Sequence, residues 1–389
     1  MKRLAFWTMI AGLLLSLLIG GISCTETTGP SPTPMSTAMP GPSSTPTPTA
    51  LPNGSVVVVA AYNASSKSGA DYLCDGTDDQ VQIQKAINSG KAITLTDGTF
   101  NLSGELSLSS NLFIDGQGNK TTLVFSTKEF LIADGANPVT LEDISVRSTT
   151  GHGGIYMRHC SNVKILNCTF DGLLVQITGG TTPNDYTTID TDNVLVQYCT
   201  FMNSPRGIGN FALGNAAKNF RILDNYFYNV NVAVDVSNSP YAVVSGNTID
   251  GAYNDFYSGI YSEGGQGISF TDNTIRNCPK GAAIMVAEGE YGYGKGGDGL
   301  IDGNTIGNCD FGVGIFGTPR MTVSNNTIAV SRYGVWIGSK AVYGTTYYPT
   351  GTRVLNNSIT SGSTQVYVEP DCSGCLVTTP TFTPTPSDV

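Results

Sequence analysis

Asp235, in the stretch VNVAVDVS, and Glu263, in SGIYSEGG, each sit where apolar residues alternate with others. Two carboxylates flanking a sugar bond are the minimum equipment for glycoside hydrolysis, one acting as acid and the other as base or nucleophile. A set of aromatic residues could present such a bond to them: Tyr156, Phe211, Tyr261, Phe316 and Trp336, with Tyr291 and Tyr293 in a Gly-rich stretch and Arg158 as a cation. Aromatic rings cover the C–H faces of pyranoses, while carboxylates and Arg bond their hydroxyls. Elimination would instead need a basic proton abstractor, for which Arg158, Arg206 and Lys280 are the candidates. Histidine offers little, since His152 and His159 are the only two and no Cys and His cluster has metal-ligand spacing.

Whether these residues meet depends on what carries them. TDNTIRNC ends at Cys278 and DGNTIGNC at Cys309, and the same phase recurs at Ile144, Cys168, Cys199, Asn225, Asn247, Asn273, Asn304, Asn326 and Asn357. The spacing ranges from 22 to 31 residues, and two positions after each marker stands an apolar residue, from Val146 and Phe170 to Ile359. A second marker, Gly207, Gly281, Gly312 or Gly334, follows eight residues after the first and opens a short apolar strand such as GVGIFG. A unit of 22 residues made of short β-rich pieces has no length for helix pairs and must stack its strands on those of neighbouring coils. This predicts an all-β parallel β-helix solenoid with an Asn ladder at one bend and Ile beside it in the core.

Strand alternation then assigns an outward face. One column reads Tyr156, Thr178, Gly209, Asp235, Tyr261, Ala283, Gly314, Trp336; the next reads Arg158, Gly180, Phe211, Ser237, Glu263, Met285, Phe316, Gly338. Asp235 and Glu263 fall on neighbouring coils, two residues apart along the strand, so their Cα atoms should lie ~8 Å apart. That face is expected to be exposed, with acids that are either catalytic or simply solvated. Insertions within 178–190, 286–298, 338–352 and 211–219 leave after this strand and should project from one side as a binding wall. Acidic residues in them could hold Ca²⁺ through oxygen, although none shows the regular spacing of a dedicated loop.

Both ends of the chain differ from the middle. Lys2 and Arg3 precede an apolar run from Leu4 to Ser23, followed by Cys24, the pattern of an export signal whose cysteine is lipidated; an uncleaved membrane-spanning helix is the alternative, and Gly21 is atypical for a lipobox. Residues 24–53 are rich in Pro, Thr and Ser and should form an extended tether. The folded domain is expected over 54–371, and a cap with a Thr/Pro-rich tail over 372–389. Cleavage after residue 23 would leave 18 basic residues against 30 acidic ones, a balance that repels nucleic acid and suits neutral glycans, or anionic ones bridged by a cation. Within TDDQVQIQKAINSG, Thr77 and Gln80 make a capping box, Asp78 and Asp79 fall in a first turn, and Val81, Ala86 and Ile87 form an apolar side, predicting an N-terminal capping helix. The cysteine pairs Cys168/Cys199 and Cys278/Cys309 would stack as thiols or disulfides, and Cys372 and Cys375 of CSGC suggest a closing disulfide.

ADYLCDGTDDQVQIQKAI, followed by DGTFNL and LFIDGQG, resembles the amino-terminal signature of the pectin lyase-like superfamily of right-handed parallel β-helix proteins. The repeats from Val139 to Ile359 are similar to parallel β-helix repeats of that superfamily and of NosD-type proteins. The resemblance implies the fold and, since members include hydrolases, lyases, epimerases, phage spikes and adhesins, leaves the activity open. Gly151-His152-Gly153 matches one polygalacturonase element, but no paired Asp on an earlier coil and no Arg-Ile-Lys accompany it, so His152 reads as a turn residue. The expectation is an exported, lipid-anchored protein that binds a polysaccharide, with binding preferred and cleavage or modification by hydrolysis, elimination or epimerisation left open; the alternative is a non-catalytic surface adhesin or spacer.

Overall fold

The computed structural model describes residues 55–126, 131–150, 154–177, 191–210, 218–289 and 296–378. Within them 29 strands are joined by parallel pairing, and Lys340–Val342 with Thr345–Tyr347 form an antiparallel hairpin. The predicted parallel β-helix is therefore present, with one coil per repeat.

Each inward column follows from the repeat. On one sheet Ile222, Val244, Phe270, Ile301, Val323 and Val354 are register partners and buried. On the next, Phe170, Phe201 and Phe227 stack with ring centroids 5.0 Å apart. That column continues as Ile249, Ile275, Ile306, Ile328 and Ile359. On the third, Ile208, Val234, Ile260, Ile284, Val313 and Val335 pair in turn. Burying a side chain of this size contributes about 1.5–3 kcal/mol, so the same contribution recurs coil after coil.

The bend between the first two sheets contains the expected ladder. The Nδ2 of Asn225 donates to Oδ1 of Asn247, which in turn donates to Asn273, and so on through Asn304 and Asn326 to Asn357, at 2.9–3.0 Å. Each Oδ1 also accepts the preceding Asn backbone N–H, as Asn273 does from Asn247 at 3.0 Å. Upstream, the Cys199 N–H donates to Asn225 Oδ1 at 2.9 Å. Positive φ belongs to the residue before each Asn, at Asp224, Gly246, Asp272, Gly303, Asn325 and Asn356, rather than to the ladder residue itself. The ladder Asn must keep its side chain directed inward, so its neighbour makes the left-handed turn.

At the second bend there is no room for a large side chain: a Cβ on Gly312 would stand 2.3 Å from the Gly334 carbonyl oxygen, and one on Gly259 2.1 Å from that of Ala283. Ala283 rather than Gly281 holds this position in its coil, because two extra residues enter the strand between Cys278 and Ala282.

The helix Gln80–Asn88 lies against the first coil and buries Ile83, Ala86 and Ile87. Val81 is 47% exposed, so Ile83 takes the place expected for Val81 on the apolar side. The expected capping box is also replaced: Asp79 is the N-cap, and its buried carboxylate accepts the backbone N–H groups of Gly76 and Asn101. Asp78 and Asp79 therefore precede the helix instead of occupying its first turn. At the other end, the parallel pairing of Arg353 and Val354 with Leu376 and Val377 carries the sheet past residue 371. Cys74, Cys160, Cys168, Cys199, Cys278, Cys309, Cys372 and Cys375 are all free thiols, so CSGC closes the last coil without a disulfide.

Candidate functional site

The outward face of the third sheet carries a second apolar cluster, distinct from the core. Tyr261, Ala282, Met285 and Ala287 form it, with Tyr257, Phe311 and Phe316 packed against them. Alternation explains the division, since Ile260, Ile284 and Val286 between them face the core. The register runs Asp235, Tyr261, Met285, Gly314, Trp336, Tyr367. Met285 occupies the rung expected for Ala283, for the reason given above, and Ala287 takes the rung expected for Met285. Gln176 pairs with both Tyr156 and Gly209, two residues before the expected Thr178. Shifts of two residues preserve the alternation, so Met285 stays on the outward face, whereas Ala283, expected there, sits at the bend and belongs to the core.

The expectation that this face is open to solvent fails on its middle coils. Asp235 is 4% exposed and Tyr261 8%, and the side chain of Glu263 is 12% exposed. Arg206 covers Asp235 from the preceding coil through an ion pair. Asp235 Oδ1 accepts the Ser237 hydroxyl at 2.6 Å and its N–H at 3.0 Å. Burial pushes the Asp235 carboxyl above the ordinary carboxylate range, opposed by Arg206 and by the Ser237 bonds. Glu263 stands one coil on and two residues along, as its sequence position requires. It accepts the Tyr261 hydroxyl at 3.0 Å and the Lys340 ammonium, which also donates to the Glu288 carbonyl at 2.8 Å. Ser237 connects the Asp235 carboxylate to the Glu263 backbone, because its hydroxyl also accepts the Glu263 N–H at 3.2 Å. Burial raises the Tyr261 and Tyr257 phenols as well, and their rings stack 4.0 Å apart.

Toward the carboxyl-terminal coils the face opens into a cavity of about 270 Å³ lined by Asp255, Phe256, Ala282, Met285, Phe311, Gly314, Phe316, Arg332 and Trp336. This lies just below the ~300–1,000 Å³ of sites for drug-sized ligands. Gly314 keeps the floor low: a Cβ there would meet the Phe316 ring at 2.6 Å. The Trp336 ring lies 5.2 Å from Phe316, 5.7 Å from Phe311 and 5.1 Å from Tyr333. Its Nε1 donates to Glu369 at 3.3 Å, which fixes the indole plane. Arg332 forks onto Asp310 and lies 4.1 Å from the centroid of Phe311, a cation–π contact at the rim. Phe256 is 66% exposed, the most accessible apolar wall.

Of the residues singled out from sequence, Tyr261, Phe316, Trp336, Asp235 and Glu263 converge on this face. Tyr156 is half-buried on the same column several coils earlier. Arg158 is placed only by its backbone, paired with Asp134, while Phe211, Tyr291, Tyr293, Cys24 and His152 lie outside the described residues. Among the basic candidates, Arg206 is ion-paired with Asp235 and Lys280 with Asp255. Phe256, Phe311, Tyr333, Tyr367 and Arg332 were not anticipated. Phe311 and Tyr333 each directly precede a marker glycine, a regularity readable in the sequence, whereas Tyr367 follows a coil in which Gln365 replaces the glycine. Among the described residues, no group of three or more His, Cys, Asp or Glu side chains is arranged to hold a metal ion, and no helix is long and apolar enough to cross a membrane.

These coils match the family of the right handed beta helix region over residues 153–290 and 213–383, together more than half of the chain. The chain belongs to that family. Its fold is similar to that of the Agl-KA catalytic domain, with a TM-score of 0.54 at 16% identity over 86% of this chain and 70% of that one. The catalytic domain of a GH87 α-1,3-glucanase in complex with nigerose gives 0.48 at 18% identity over 86% and 70%. A periplasmic alginate epimerase, AlgG, gives 0.46 at 12% identity over 76% and 77%. No curated protein matches the sequence.

Proposed function

We propose that this chain is an exported protein, anchored to a membrane through a lipid on Cys24, that binds a polysaccharide along the outward face of its third sheet. The observation that carries this reading is the cavity walled by Phe256, Phe311, Phe316 and Trp336 with Met285 at its floor and Arg332 at its rim. Rings held at fixed angles on a rigid sheet suit the C–H faces of sugar rings, and Arg332 and Asp255 suit their hydroxyls. Binding without turnover is favoured by one further fact: Asp235 and Glu263, the pair best placed by register for acid–base work, are both occupied by cations and screened from the cavity's solvent. A catalytic role would require a substrate to displace Arg206 or Lys340.

The test is retention of the full chain on a panel of immobilised polysaccharides, with product analysis of the same incubations. Trp336→Ala should weaken retention by at least ~30-fold, the loss typical of a central aromatic contact. New reducing ends that vanish in Asp235→Asn would assign hydrolysis, and unsaturated uronate products would assign elimination. Retention without product supports a binding module. Absence of retention across the panel would leave a surface spacer. A Cys24→Ser chain that stays in the membrane fraction would remove the lipid anchor from this account.

A further inference from the structure

We infer that the polysaccharide taken by this cleft is a neutral one, and that polyuronates and sulfated glycans are rejected unless a divalent cation bridges them. This inference rests on the polysaccharide reading given above and specifies its ligand.

The argument is a charge inventory of the face. Among the described residues its cations are Arg206, Lys280, Arg332 and Lys340, and each is matched to a carboxylate, namely Asp235, Asp255, Asp310 and Glu263 in turn. Among the described residues one further carboxylate, Glu369, stands beside Trp336, so five acids meet four bases. Glu369 accepts from Trp336 Nε1 at 3.3 Å and from the Ser339 N–H at 2.7 Å and hydroxyl at 2.9 Å, which are neutral donors that leave its charge in place. Among the described residues the face therefore carries one more acid than base, and the extra charge, on Glu369, is bonded to Trp336 of the cavity wall, where charges act over ~8–10 Å at ordinary salt.

A uronate entering this cavity would bring a carboxylate to a site where every cation among the described residues is already paired. Among the described residues Arg332 is the only cation lining it, and its fork is already filled by Asp310. To bind the uronate, Arg332 would have to exchange one carboxylate for another with no net gain. A neutral pyranose requires no such exchange. Its hydroxyls can bond the outer oxygens of Asp255, while its C–H faces cover the rings of Phe256, Phe311 and Trp336. The Asp255–Lys280 pair is the weakest barrier, since its side chains are 79% and 63% exposed. A single substitution there should change the preference.

The experiment compares the full chain on neutral glucans, mannans and xylans with polygalacturonate and alginate, at about 20 mM salt with EDTA. Retention on at least one neutral polymer, with polyuronates at least about tenfold weaker, is the expected result. Asp255→Lys, at an exposed position that leaves the fold intact, should strengthen polyuronate binding about threefold or more, an effect that salt removes. Polyuronate retention that appears only when CaCl₂ replaces EDTA supports the inference, because the added cation supplies the missing positive charge. Polyuronate binding in EDTA equal to or above that of every neutral polymer overturns it while leaving the polysaccharide reading intact. Retention of neither class overturns that reading itself.

Discussion

Asp115 shows how a repeat concentrates a liability when an acid falls on a column shared with other acids. Its register partner on the next coil is Glu142, followed by Asp143, and the Asp115 carboxyl is raised to about 6, first by burial and then by those two neighbours. The sign follows from linkage. A carboxyl with a folded-state value above its ordinary 3.8 holds its proton more tightly when folded, so stability falls as pH rises from about 4 to about 6. Asp115→Asn should remove that decline: thermal melts of the variant should match the parent at pH 4 and exceed it at pH 7. A variant melting profile parallel to the parent's over this range would contradict the assignment. The ladder makes the opposite case, an amide that cannot be spared. Asn273→Ala removes the acceptor used by the Asn247 N–H and Nδ2 and the donor to Asn304 and to the Val244 carbonyl. Leaving buried donors without partners costs about 1–3 kcal/mol each, so urea denaturation should show a loss of at least ~2 kcal/mol. Asn273→Asp should fare no better, since it sets an oxygen against the Val244 and Asn304 oxygens.

At the level of elements, the hairpin Lys340–Val342/Thr345–Tyr347 is the one described insertion that returns to the face it leaves. Its Lys340 reaches back across the coils to Glu263 and to the Glu288 carbonyl, tying the closing half of the solenoid to its middle. Removing one partner from a largely buried pair costs about 3–5 kcal/mol where burial is complete; with side chains 18% and 12% exposed, a loss of ~2 kcal/mol is expected for Lys340→Ala. Pairing it with Glu263→Gln should recover most of that loss, and a double-mutant cycle on chemical denaturation measures the coupling. An additive result would mean that the ammonium and carboxylate do not support each other. The same hairpin explains why the face is partly closed: sequence alternation identifies which side chains leave the core but says nothing of what an insertion lays over them.

Across the whole molecule, legibility follows periodicity. The Asn, Ile and Phe columns were readable because every coil imposes the same turn and the same core depth, so nine imperfect copies correct one another. The outward face was readable as a parity and not as a depth. Asp235 and Tyr261 were assigned to it correctly, yet the burial of Asp235 under Arg206 depends on a single residue in another coil. Two extra residues between Cys278 and Ala282 moved Met285 by one rung without changing which way it points, since an even slip keeps parity, whereas Ala283, expected to face outward, falls on the bend and joins the core. The capping helix was found by its composition but rotated in detail, because Val81 and Ile83 are both apolar and only contact with the first coil chooses between them.

Every bond from one Asn side chain to the next in the row runs toward the carboxyl-terminal side, so the row has a direction but no punctuation. Nothing in its hydrogen bonding records how many coils there should be, and a duplicated coil would find a donor waiting behind it and an acceptor ahead. Growth and shrinkage by whole turns thus come without local penalty, which makes the length of such a protein an inherited accident and its closing coils the natural place for novelty to accumulate.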